Sequence, residues 1–129
     1  MTSHPRVLLA IFVGGSLGGA ARHLLAGSHA TTLAVNLVGC FVLGVLVVAA
    51  PHHWRPLLGT GFCGGFTTFG SVTVASEKWL EDGRLGSALG YLAVSFLGGV
   101  AAAALGIGAG HALSRRDELA PEDPDVEVD

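Results

Sequence analysis

The sequence predicts an all-α integral membrane protein with four transmembrane helices, the third of them broken near its middle. Three observations carry that prediction. Half of the 129 residues are hydrophobic and only 13% are charged, against roughly a quarter in an average soluble domain. No Asp, Glu, Lys or Arg occurs in residues 7–21, 23–54, 56–76 or 85–114, and long uncharged apolar runs are the pattern of membrane spans. Within the third run, residues 57–76 nevertheless hold five glycines, four threonines and two serines. Glycine costs a helix interior roughly 1 kcal/mol relative to alanine. The Gly64-Gly65 pair therefore predicts a backbone that leaves helical geometry at mid-membrane depth. Carbonyls and N–H groups freed there are tolerated only where protein, an ion or water satisfies them. Residues 59–71 are thus a candidate ion site.

The same pattern sets the domain boundaries. Residues 1–114 are expected to form one membrane domain, with spans at about 7–25, 33–50, 57–78 and 85–111. Residues 115–129 are expected to form a disordered acidic tail, since 117–129 carry seven acids, no base and two prolines. Residues 1–116 hold seven Lys or Arg against three acids, a balance of +4, so the net charge of −3 comes from the tail.

The first span carries Gly14, Gly15, Gly18 and Gly19, small residues spaced for close helix packing. Arg22 lies only fifteen residues after Val7, a rise of about 22 Å and short of a bilayer. Two readings of Arg22 stand. Its head snorkels to the interface, or it lines an aqueous opening that attracts anions. In the second span Asn36, Cys40 and Gly44 share one face at four-residue spacing. An amide in a span needs a partner, either a neighbouring helix or an ion path, and the weakened third span favours the path. Cys40 and Cys63 read as small packing residues. Residues 51–56, with His52, His53 and Trp54, form an interfacial loop, where the tryptophan suits the aromatic belt.

Glu81-Asp82-Gly83-Arg84 is a tight polar turn. In the fourth run Gly86, Gly90, Val94, Gly98, Ala102, Gly106 and Gly110 recur every fourth residue and predict a flat stripe for close helix contact within or between subunits. Tyr91 and Ser95, also four apart, are either a packed polar pair or part of a polar track with Asn36 and the threonines of the third span. Four spans would put Arg6, Arg55, Arg115 and Arg116 on one side and Arg22, Lys78 and Arg84 on the other. So small a difference gives the positive-inside rule almost nothing to act on.

Taken together, these residues resemble the Fluc/CrcB family of small fluoride channels. The resemblance rests on Gly-Phe-Cys-Gly-Gly-Phe-Thr-Thr-Phe at 61–69, Gly14-Gly15-Ser16-Leu17-Gly18 with Arg22, residues 33–39 around Asn36, and Tyr91 with Ser95. It implies an antiparallel, dual-topology dimer with two fluoride pores and a central structural Na⁺. The resemblance further implies that the backbone carbonyls of Gly64 and Thr67 from both subunits hold that Na⁺. Asn36, Thr68, Phe69, Tyr91, Ser95 and Arg22 would line the ion pathway, with Phe69 offering its ring edge, the positive part of its quadrupole, to the anion. One departure stands out: where the family carries a second pore phenylalanine, this chain has Val72. Glu77 also lies two residues later than the family's acid.

The function this implies is passive fluoride export from the cytoplasm through the bacterial inner membrane, which relieves fluoride toxicity. The partners would be fluoride, the lipid bilayer and a second four-span subunit, either a copy of this chain or a homologue. Val72 keeps a second reading open, that of a degenerate or non-conducting subunit of a heterodimeric channel. A proton-coupled multidrug exporter would need an acid within a span, and the four uncharged runs have none. No nucleophile–base constellation or metal set appears in any span, so an enzyme is not expected.

Overall fold

The computed structural model describes residues 4–119, and every regular element among them is helical. The order is α1 (His4–Leu25), α2 (His29–Ala49), a 3₁₀ turn (His52–Trp54), a π-helical stretch (Pro56–Cys63), α3 (Gly64–Phe66), α4 (Phe69–Glu81) and α5 (Leu85–Leu119). Helices α1, α2 and α5 are each long and apolar enough to cross a membrane. Most of their large apolar side chains point outward, Phe12, Leu24 and Leu105 among them, as lipid-facing residues must. The chain is a multi-pass membrane protein.

Local chemistry sets the helix ends. Helix α2 begins at His29, four residues before the expected span. Ser28 Oγ accepts the Thr31 N–H at 3.2 Å, while Thr31 Oγ1 accepts the Ser28 N–H at 2.8 Å. This reciprocal cap satisfies two N–H groups that a helix start leaves without partners. Just past the end of α4, Gly83 has φ 70°, the left-handed conformation glycine adopts without steric cost. Gly83 N–H then reaches Leu80 O at 3.0 Å and Arg84 N–H reaches Trp79 O at 2.7 Å, the paired closure of a glycine-terminated helix. Helix α5 runs through Leu119, so residues 115–119, expected in the disordered tail, are helical. Arg and Leu are good helix formers wherever a helix is already propagating. The rest of the expected tail, residues 120–129, lies outside the described residues.

Two pairs of elements meet at backbone distance. A Cβ on Gly14 or Gly18 would run into the carbonyls of Leu57 and Phe62, and one on Gly65 would strike the carbonyl of Gly15. Helix α1 therefore lies directly on residues 56–66. On the other side α2 lies on α5, where a Cβ on Gly44 would meet Ala103 O and one on Gly106 would meet Phe41 O. The fourth-residue stripe of α5 divides accordingly. Gly98, Gly106 and Gly110 pack on α2, whereas Gly86 and Gly90 face open space.

Candidate ion-binding and ion-conducting site

The site grows from two residues. Thr67 (φ −80°, ψ 149°) and Thr68 (φ −148°, ψ 123°) are extended, and they separate α3 from α4. The interruption therefore falls at Thr67-Thr68 and not at Gly64-Gly65, where the glycine pair suggested it. Gly64 is helical (φ −63°, ψ −38°). Side chains outside the glycine pair decide the place. Asn36 Nδ2 donates to Thr68 O at 3.1 Å, and Thr68 N–H donates to Asn36 Oδ1 at 2.8 Å. Thr68 Oγ1 accepts the Ser71 N–H at 3.2 Å and so starts α4 as its N-cap. Threonine and asparagine side chains here compete with the helix for its own backbone bonds.

The consequence for the carbonyls is specific. In a continuous helix the N–H of Thr68 would serve Gly64 O, and that of Ser71 would serve Thr67 O. Both donors are turned to side chains instead. The interruption leaves the carbonyls of residues 64–67 without their helical partners, those of Gly64 and Thr67 among them. Oxygen atoms of this kind suit a hard cation. Gly64 is exposed, and among the described residues nothing beyond its own stretch of backbone lies within 4 Å of where its Cβ would be.

A cavity of about 350 Å³ opens beside the interruption. Asn36, Thr67, Thr68, Phe69, Val72 and Ser95 all line it. Ser95 Oγ is buried without a hydrogen-bond partner among the described residues. Asn36 is buried, yet only one of its two amide protons is used by Thr68. Phe69 is 77% exposed, so its ring is free to face whatever enters. Val72, at 3% exposure, packs into the wall.

Two of the expected pathway residues do not line this cavity. Tyr91 O–H donates to His29 O at 3.1 Å, and its ring meets Trp79 edge-on at 5.2 Å. His29 stacks on the same tryptophan at 4.3 Å. Tyr91 and Ser95, one turn apart, thus face different surroundings. Arg22 Nη1 donates to Ser71 Oγ at 3.2 Å, and Arg22 Nε is buried without a partner among the described residues. Arg22 borders a second cavity of about 590 Å³ with Ser28, His29, Thr32, Thr68 and Ser71. Thr68 lines both cavities.

Comparison with known proteins places this architecture. Residues 9–107 match the family described as CrcB-like protein, Camphor Resistance (CrcB). The chain belongs to the CrcB family. A relative named fluoride-specific ion channel FluC 2, from Nocardia farcinica (strain IFM 10152), is 40% identical over 119 residues, 81% of this chain and 85% of its own. Another named fluoride-specific ion channel FluC, from Gloeothece citriformis (strain PCC 7424), is 36% identical over 78% of this chain and 93% of its own. A third of the same name, from Enterobacter sp. (strain 638), is 38% identical over 78% of this chain and 90% of its own. Every residue lining either cavity lies within the stretch that matches the CrcB family.

Sequence reasoning did not find the α5 wall of the first cavity in this CrcB chain, apart from Ser95. Leu92, Phe96 and Val100, with Gly99 and Ala103, complete that wall. The signal was present: 92, 96 and 100 are four apart, as are 95, 99 and 103, which puts them on one helix face. The cluster of His29, Trp79 and Tyr91 left no such signal, because its members come from three separate elements.

Proposed function

We propose that the chain is a fluoride-specific ion channel that carries fluoride passively out of the cytoplasm across the bacterial inner membrane. The observation that carries this reading is the exchange of hydrogen bonds between Asn36 and Thr68. It holds the backbone open at one point and places an amide on the floor of the first cavity. Fluoride is small and strongly hydrated, so a pore must replace its water with donors without holding it too tightly. Three groups can donate in this way. They are the second N–H of the Asn36 amide, the Thr68 hydroxyl, whose oxygen already accepts from Ser71, and the unpartnered Ser95 hydroxyl. The exposed ring of Phe69 adds a positive edge. Arg22 at the second cavity would gather anions from water.

In the full reading, residues 56–81 make one interrupted membrane crossing. Together with α1, α2 and α5 this gives four spans, and two copies assemble antiparallel. The carbonyls of Gly64 and Thr67 would then hold a structural Na⁺. The ion would neutralise main-chain oxygens that lipid cannot hydrate. The open space at Gly64 supports a second subunit on that side.

Val72 favours a second reading. It sits in the wall of the cavity without a ring to offer, as expected of a degenerate pore in a heterodimer. Fluoride efflux from liposomes holding the purified chain, followed with a fluoride electrode, separates the cases. Efflux from the chain alone supports the homodimer. Efflux only with a homologous four-span partner supports the heterodimer, and silence in both preparations overturns the channel.

A further inference from the structure

The first cavity has two aromatic residues in its lining, Phe69 on α4 and Phe96 on α5. Both rings are largely uncovered, 77% for Phe69 and 70% for Phe96, so neither is used up in packing within the chain. We infer that Phe96 is a second anion-facing ring, a specificity-determining residue that supplies from α5 what Val72 cannot supply from α4. The inference rests on the fluoride-channel reading and extends it to a residue outside the motif that suggested it.

The setting argues against Phe96 as a plain lipid-facing side chain. It follows Ser95, whose buried hydroxyl has no partner and lines the same space. A buried polar atom of that kind calls for a polar occupant. Asn36, Thr67 and Thr68 line the same cavity. A dehydrated anion there would meet polar groups on α2 and on the segment joining α3 to α4, together with Phe69 at the start of α4. On the α5 side, besides the Ser95 hydroxyl, it would meet Leu92, Phe96, Gly99, Val100 and Ala103. Of these five, Phe96 has a ring, and the edge of a ring carries the positive part of its quadrupole. The methyl groups of Val72 offer no comparable edge. Two ring edges from different helices would enclose an anion while leaving larger, fully hydrated ions unsatisfied.

The test uses the full chain in liposomes, with size-exclusion profiles recorded beside efflux. Phe96→Leu keeps the apolar bulk and removes the ring, and it should slow fluoride efflux roughly tenfold with the elution profile unchanged. Phe96→Tyr keeps a ring edge and should retain most of the wild-type rate. Wild-type efflux from Phe96→Leu would make the ring lipid-facing and overturn the inference. Loss of efflux together with the assembled peak, or an equal loss in Phe96→Tyr, would reduce Phe96 to packing and overturn it too. A silent wild-type chain is a different failure, that of the fluoride-channel reading itself.

Discussion

Asn36 shows how one side chain can govern a backbone 32 residues away. Its amide presents a donor and an acceptor in the spacing of a peptide group, and Thr68 meets both. Replacing Asn36 by leucine would keep similar volume and strand the N–H and the C=O of Thr68. A buried polar group left without a partner costs about 1–3 kcal/mol; two such groups, only partly buried at Thr68, should cost Asn36→Leu about 2–4 kcal/mol of stability. Asn36→Asp would still accept the Thr68 N–H but would set a carboxylate oxygen against the Thr68 carbonyl. It should therefore be destabilised as well, and its negative charge should stop anion flux. Thermal unfolding in detergent checks the first effect and liposome efflux the second. An Asn36→Leu chain that unfolds at the wild-type temperature would mean that Thr68 holds its extended backbone without help.

Among the helical elements, α1 and residues 56–66 meet at backbone distance. At Gly18 a Cβ would collide with the Phe62 carbonyl, and at Gly65 with the Gly15 carbonyl. These are backbone atoms, which cannot swing aside as a side-chain tip can. Gly18→Ala or Gly65→Ala should thus destabilise the protein by about 1–3 kcal/mol, the usual cost of overpacking. Gly90→Ala, in open space within the chain, should be neutral or slightly stabilising for the subunit through helix propensity. Thermal unfolding of the three variants side by side checks the contrast. The glycine spacing in α1 announced this close contact in the sequence, as the uncharged runs announced the apolar helices and Gly83 announced the turn. The place of the interruption was not legible. Propensity is a local property and pointed to Gly64-Gly65, but the deciding bonds come from Asn36 on another helix and from the capping hydroxyl of Thr68. The π-helical form of residues 56–63 was equally hidden, since periodicity gives no sign of it. Tyr91 was legible as a polar residue facing inward but not as a partner of His29 and Trp79, a contact that exists only once α2, α4 and α5 are assembled.

For the whole molecule, the decisive feature is what a single chain leaves uncovered. Gly64, Gly86 and Gly90 face open space among the described residues. A second copy would cover such a surface, and in an antiparallel pair the two copies must insert in opposite directions. The charge distribution permits this. With four spans, Arg6, Arg55, Arg115 and Arg116 stand against Arg22, Lys78 and Arg84, and orientation follows the side richer in Lys and Arg near the span ends. A difference of one base, four against three, leaves the two insertions close in free energy. Reporter fusions at the C-terminus should therefore give signal on both sides of the membrane. Two added arginines in the 51–56 loop should shift that signal strongly toward a cytoplasmic C-terminus, because the loop and the C-terminus share a side. If the unmodified chain reported from one side alone, antiparallel pairing with itself would be ruled out, and the channel would need a homologous subunit of opposite orientation. Val72 would then mark the degenerate pore of an unequal pair.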